Sequence, residues 1–217
     1  MLKNPFSFIP NEPDDLHCFQ ASVRMAWQGL SGQALSLQEA ETLTEFEADQ
    51  QTWPFAGMLA FANAGYLVRS IEDFMPQPFV DNPAAEIKRQ SDSEEVTAHV
   101  LEVSDVERQR KLVADCLATP AISFEVRIPD INDLRRMVSQ EQTAVICNVN
   151  YKALVGESGY NGHFVLVEAI GIDSVLLQNP GLPPIKDQRV SLNRFISAWC
   201  EPSRSMANIL AVTKAPG

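Results

Sequence analysis

Two kinds of hydrophobic pattern divide this chain, and that division limits what it can fold into. Capped segments with apolar residues at helical spacing fill the first 65 residues, and apolar runs of strand length crowd the C-terminal part. Over residues 18–30, Val23, Ala26, Trp27 and Leu30 form one helical stripe, with Asp14 and Asp15 as cap candidates upstream. A second helix starts at the capping box Ser36-Leu37-Gln38-Glu39. A third follows Thr52 with Pro54 in its first turn and ends at Gly65; it offers Phe55, Met58, Leu59 and Ala62 to a core.

Beyond Gly65 the pattern changes. Tyr66 to Ile71 reads as a strand, and residues 75–95, rich in Pro, Asp and Ser, as a long loop or irregular insertion. The spacing predicts a helix from Val106 after a capping box at Ser104, a strand over Ile122 to Val126, and a helix capped by Asp130. Ala144 to Val149 is nearly all apolar, as a central strand would be. Phe164–Ile170 and Val175–Gln178 read as two strands joined by a turn at 171–174. A short helix from Leu192 to Trp199 and a strand from Ile209 to Val212 finish the series. Helices first and antiparallel strands later predict an α+β protein with one shared core, a single domain over 1–217. Its helical half spans about 1–65 and its β-rich half about 120–217.

Composition narrows the function classes. A net charge of −11 over 217 residues argues against nucleic acid and against an anionic membrane surface, both of which need clustered Lys and Arg. No signal-like or membrane-spanning run is visible, so a cytoplasmic location is expected. Four scattered cysteines, Cys18, Cys116, Cys147 and Cys200, with no C-x-x-C pair, read as free thiols. His17, Cys18, His99 and Cys116 give no zinc spacing, and no cofactor is expected.

Three polar residues stand where chemistry could be assembled. Cys18 sits where a loop turns into the first helix, and unpaired N–H groups there would lower its pKa. His163 opens a strand in Gly162-His163-Phe164-Val165, and Asn179 closes the next strand before Pro180-Gly181. The intervening turn brings these outer ends together, where the carboxamide could hold the imidazole; a one-residue slip would send them to opposite faces. Nucleophile, histidine and amide in that chain order make a Cys-His-Asn site. Asn179 before Pro-Gly serves a turn equally well. His17 reads as a surface or cap residue, Cys147 as core, and the acidic run from Asp92 to Glu95 as solvated.

On these motifs the chain resembles the C39-like branch of the papain-fold cysteine peptidases. Cys18, Gly162-His163-Phe164-Val165 and Asn179-Pro180-Gly181 match the family pattern in order and spacing, and the likeness runs from about Phe8 to Val212. The resemblance implies a papain-like α+β fold, with helices packed on a C-terminal antiparallel sheet. It also implies a peptidase or amide hydrolase in which Cys18 attacks, His163 moves the proton and Asn179 orients it. Two positions depart from the family. Phe19 replaces the usual glycine and is expected to narrow the site, and Glu12 occupies the place of the oxyanion glutamine. Asn11 is the expected substitute, paired with the Cys18 N–H. The expected partner is a peptide or amide substrate. A papain-fold acyltransferase and a catalytically silent module that binds a peptide or protein remain the alternatives.

Overall fold

A computed structural model describes residues 6–215 apart from Asp49, Asp92 and Ser93, and without the side chain of Val96. The N-terminal residues read for a targeting segment, and half of the Asp92–Glu95 run, lie outside the described residues.

The helical part contains α1 (Cys18–Ser31), α2 (Leu37–Thr44) and α3 (Phe55–Asn63). The Ser36 hydroxyl accepts the Glu39 N–H while the Glu39 carboxylate accepts the Ser36 N–H, the reciprocal capping box read from the sequence. Gly32 ends α1 in the left-handed conformation. Strand β1 (Tyr66–Glu72) follows.

Apart from Asp92 and Ser93, which lie outside the described residues, residues 75–95 are largely helical, which corrects the loop read from their composition. They carry α4 (Pro76–Asp81), α5 (Pro83–Ser91) and the start of α6 (Glu94–Glu102). Pro76 and Pro83 occupy helix starts, where proline's missing N–H costs nothing. Phe79 and Ile87 anchor α4 and α5 in the core. Next come α7 (Val106–Ala118), β2 (Ile122–Val126), α8 (Ile131–Val138) and β3 (Thr143–Asn150). Asp105 caps α7, while Ser104 accepts the Trp53 indole N–H. The chain ends with α9 (Tyr151–Val155), β4 (Gly162–Ile170), β5 (Ser174–Asn179), β6 (Ile185–Ser191), α10 (Leu192–Trp199) and β7 (Asn208–Lys214).

The seven strands lie in the order β2-β1-β7-β3-β4-β5-β6. Every pairing is antiparallel except β1 with β2, whose connection runs through α4 to α7. Helices cover both faces of the sheet. On one face, Ala144, Ile146 and Leu166 pack with Phe19, Met58, Phe61 and Phe79. On the other, Val145, Cys147, Val149 and Val165 pack with Leu134, Leu154, Phe195 and Trp199. The near-continuous apolar run of β3 follows from this double burial. Among the described residues no helix is long and apolar enough to cross a membrane.

Candidate active site

The β4–β5 register decides whether His163 and Asn179 meet. Leu166 pairs with Gln178, so Asn179 lies beside Val165 and diagonal to His163 on one face of the sheet. The His163 Nε2 is 2.8 Å from the Asn179 Oδ1. That oxygen also accepts the Gly181 N–H at 3.0 Å, while the Asn179 Nδ2 donates to the Gln188 Oε1 at 2.7 Å. The amide is therefore oriented with its oxygen toward the ring, Nε2 carries the proton, and Nδ1 is left as the basic nitrogen.

Side chains missed in the sequence hold this pair. The Tyr151 ring meets the His163 ring edge-on, centroids 5.2 Å apart, and its hydroxyl donates to the Leu182 carbonyl at 3.0 Å. Gly181 closes over the His163–Asn179 bond so tightly that a Cβ there would lie 3.2 Å from the histidine Nε2. Asn150 is buried. Its Oδ1 accepts the N–H groups of Lys152 and Asn161, and its Nδ2 donates to the Gly159 carbonyl, so it fastens the loop leading into His163. Only the run Tyr160-Asn161-Gly162-His163 hinted at these neighbours.

Cys18 is half-buried at the first turn of α1. Its carbonyl accepts the Ser22 hydroxyl, which also reaches the Phe164 carbonyl at 3.4 Å. The Phe164 backbone N–H faces the thiol, which puts Cys18 against the peptide that follows His163. The pleat points Phe164 toward α1 and His163 toward Tyr151. Among the described residues, the thiol makes no hydrogen bond to the imidazole.

Phe19 does not narrow the site. It is fully buried, 4.7 Å from Phe164 by ring centroids and in contact with Gly57. One helix step turns it into the core, away from Cys18. Nor is His17 at the surface. It is buried, with Nδ1 3.0 Å from Asp14 and Nε2 2.9 Å from Glu41. His17 occupies the N-cap position of α1 without a side-chain cap, so Asp14 and Asp15 are not the caps read from the sequence.

Asn11 is buried and builds the loop. Its Oδ1 accepts the N–H groups of Glu12 and His17, its Nδ2 donates to the Asp15 carboxylate at 2.9 Å, and its own N–H donates to the Pro180 carbonyl at 2.8 Å. Asp15 is exposed, with left-handed backbone at φ 63°. Its charge acts on Cys18, His163 and Tyr151 alike.

Burial dominates the electrostatics. It pushes the Cys18 thiol up to about 11, against the lowering effect of the Phe164 and Phe19 N–H groups, with Asp15 adding to the rise. The lowering expected of a helix start is outweighed. Burial also pushes His163 down to about 4, although Asn179 and Asp15 favour its charged form. At neutral pH the Cys18 thiol and the His163 imidazole are thus both uncharged. Among the described residues no three His, Cys, Asp or Glu side chains group as metal ligands.

No family model matches the chain, and no curated protein matches it. Among solved structures it is similar to the peptidase domain of Streptococcus ComA, a bi-functional ABC transporter involved in a quorum-sensing pathway. The match covers 97% of this chain and 99% of that domain, at 13% identity and a TM-score of 0.53. The mixed sheet and this near-complete overlap show that the chain has the α+β fold of that peptidase domain.

Proposed function

We propose that this protein is a cysteine hydrolase acting on a peptide or amide carbonyl. The observation that carries the reading is the oriented His163–Asn179 pair, which leaves a basic Nδ1 on the strand whose next N–H faces the Cys18 thiol. The Cys18 sulfur attacks the carbonyl carbon as its proton passes to the His163 Nδ1. The C–N bond breaks, a thioester remains on Cys18, and the same proton leaves on the departing amine. Water then attacks the thioester, giving up a proton through His163, and the acid is released with the thiol restored. Attack by an amine in place of water would make the same site an acyltransferase. The Cys18 N–H and the second amide proton of Asn11 are the candidate oxyanion donors. Both reacting groups rest neutral, so proton transfer accompanies attack.

A second reading is a silent papain-fold module that binds a peptide or protein in the same cleft. The thiol held at about 11 and the missing thiol–imidazole hydrogen bond favour it. Labelling with peptidyl acyloxymethyl ketones separates the two. Under the hydrolase reading, Cys18→Ala abolishes labelling and His163→Ala slows it by about 10²-fold or more. Equal labelling rates with and without the imidazole would leave the binding module as the better account.

A further inference from the structure

We propose that Asp15 selects the substrate, and that this site takes a group bearing a positive charge on an aliphatic stem, a lysine- or arginine-like side chain beside the scissile carbonyl. The inference rests on the cysteine-hydrolase reading and names the substrate class for that site.

The argument starts from how Asp15 is held. Asn11 fixes its carboxylate at 2.9 Å and is itself anchored at 2.8 Å to the Pro180 carbonyl, one residue past Asn179. The carboxylate is therefore tied to the loop that carries the His163 partner. It is exposed, and among the described residues it pairs with no cation. Its backbone is left-handed, a conformation that aspartate and asparagine tolerate better than most residues.

Left alone, this charge favours the protonated His163 but opposes both anions of the chemistry. It disfavours the Cys18 thiolate, and an oxyanion forming near Asn11 would sit close to a carboxylate. A bound cation removes both penalties, so substrate charge would contribute to the rate as well as to binding. The surroundings fit the rest of the ligand. Leu16, next to Asp15, and Leu182, next to Gly181, expose apolar side chains that a hydrocarbon stem can cover.

The test uses two thiol reagents of opposite charge on the full chain: trimethylammonioethyl and sulfonatoethyl methanethiosulfonate. Each forms a disulfide with a thiolate and expels methanesulfinate, so neither imidazole nor oxyanion hole is needed. Rates at Cys18, read by peptide mass mapping, are normalised to 2-mercaptoethanol. The cationic reagent should be favoured, and Asp15→Asn should cut that preference by about five- to tenfold, as expected for removing one charge that acts on the thiol. Asp15→Gly, which accepts the same backbone, should do likewise. Salt at about 0.5 M should weaken the preference in the native chain only. A preference unchanged by both substitutions, or a Cys18 inert to both reagents, overturns the proposal. A preference that collapses as expected while peptidyl probes ignore His163 keeps the charge selection and removes the hydrolase reading.

Discussion

Gly181 shows how little room the site leaves. A Cβ there would lie 2.8 Å from the Tyr151 ring, 3.1 Å from the Asn179 Oδ1 and 3.2 Å from the His163 Nε2. Its backbone lies outside the left-handed region, so an alanine would meet that crowding and no backbone strain. Gly181→Ala should lengthen the histidine–amide bond and slow His163-dependent labelling by about tenfold, because misplacing a catalytic group by a fraction of an ångström is costly. The melting temperature should fall by about 2–12 °C, since one crowded contact costs about 1–3 kcal/mol and each kcal/mol is about 2–4 °C in a chain of this size. Labelling kinetics beside a thermal melt would separate the effects, and an unchanged rate would count against a catalytic pair. At this scale the sequence disclosed the pairing of His163 with Asn179, because each is a polar break at the end of an apolar strand. It did not disclose Asp15, since a carboxylate in a polar loop looks like a cap until the left-handed turn before Cys18 is known. Phe19 could have been read correctly: with Val23 and Ala26 it falls on the buried stripe of α1.

Among the elements, α8 depends most on a single side chain. Asp133 accepts the Asp130 N–H at 2.9 Å in a capping box and pairs with Arg127 at 2.6 Å and Arg136 at 2.7 Å. Its carboxylate is nearly buried while both arginines are partly exposed, so screening reduces the ionic part and the cap persists. Asp133→Ala should cost about 2 kcal/mol, seen as a lower urea midpoint at unchanged slope. A loss below a few tenths of a kcal/mol would mean that solvent satisfies the same N–H groups. The Asp130 cap was legible because an aspartate stands just before an apolar stripe at helical spacing. The helices α4 and α5 were not, because their prolines and polar residues look like loop composition. Their stability comes from Phe79 and Ile87 docking on distant core residues, which no local window contains. Strand β6 escaped for a related reason: as an edge strand with Lys186, Asp187 and Arg189, it lacks alternation strong enough to read.

Across the whole molecule, the two-faced burial of the sheet couples the site to acid stability. His163 lies at the end of β4, where α9 and the loop after β5 close over it, and its pKa falls from 6.5 to about 4. The unfolded chain then binds this proton more readily than the folded one. The stabilisation is fully present above about pH 6.5 and is lost as pH falls through about 4, a swing of about 3 kcal/mol. Asp133, held well below the usual carboxylate range by Arg127, acts in the same direction at still lower pH. Glu72 acts oppositely: burial raises its pKa, so the folded state takes up its proton first and gains stability as pH falls. Between pH 6.5 and about 4.5 the histidine should dominate. Urea unfolding of the native chain and His163→Gln at pH 7, 6, 5 and 4.5 would isolate it. The stability difference between the two proteins should shift toward the glutamine variant by about 2–3 kcal/mol over that range, because only the native chain carries the penalty for charging a buried ring. Parallel pH profiles would mean that the ring reaches water in the folded state, and the neutral resting pair on which the proposed chemistry is built would have to be abandoned.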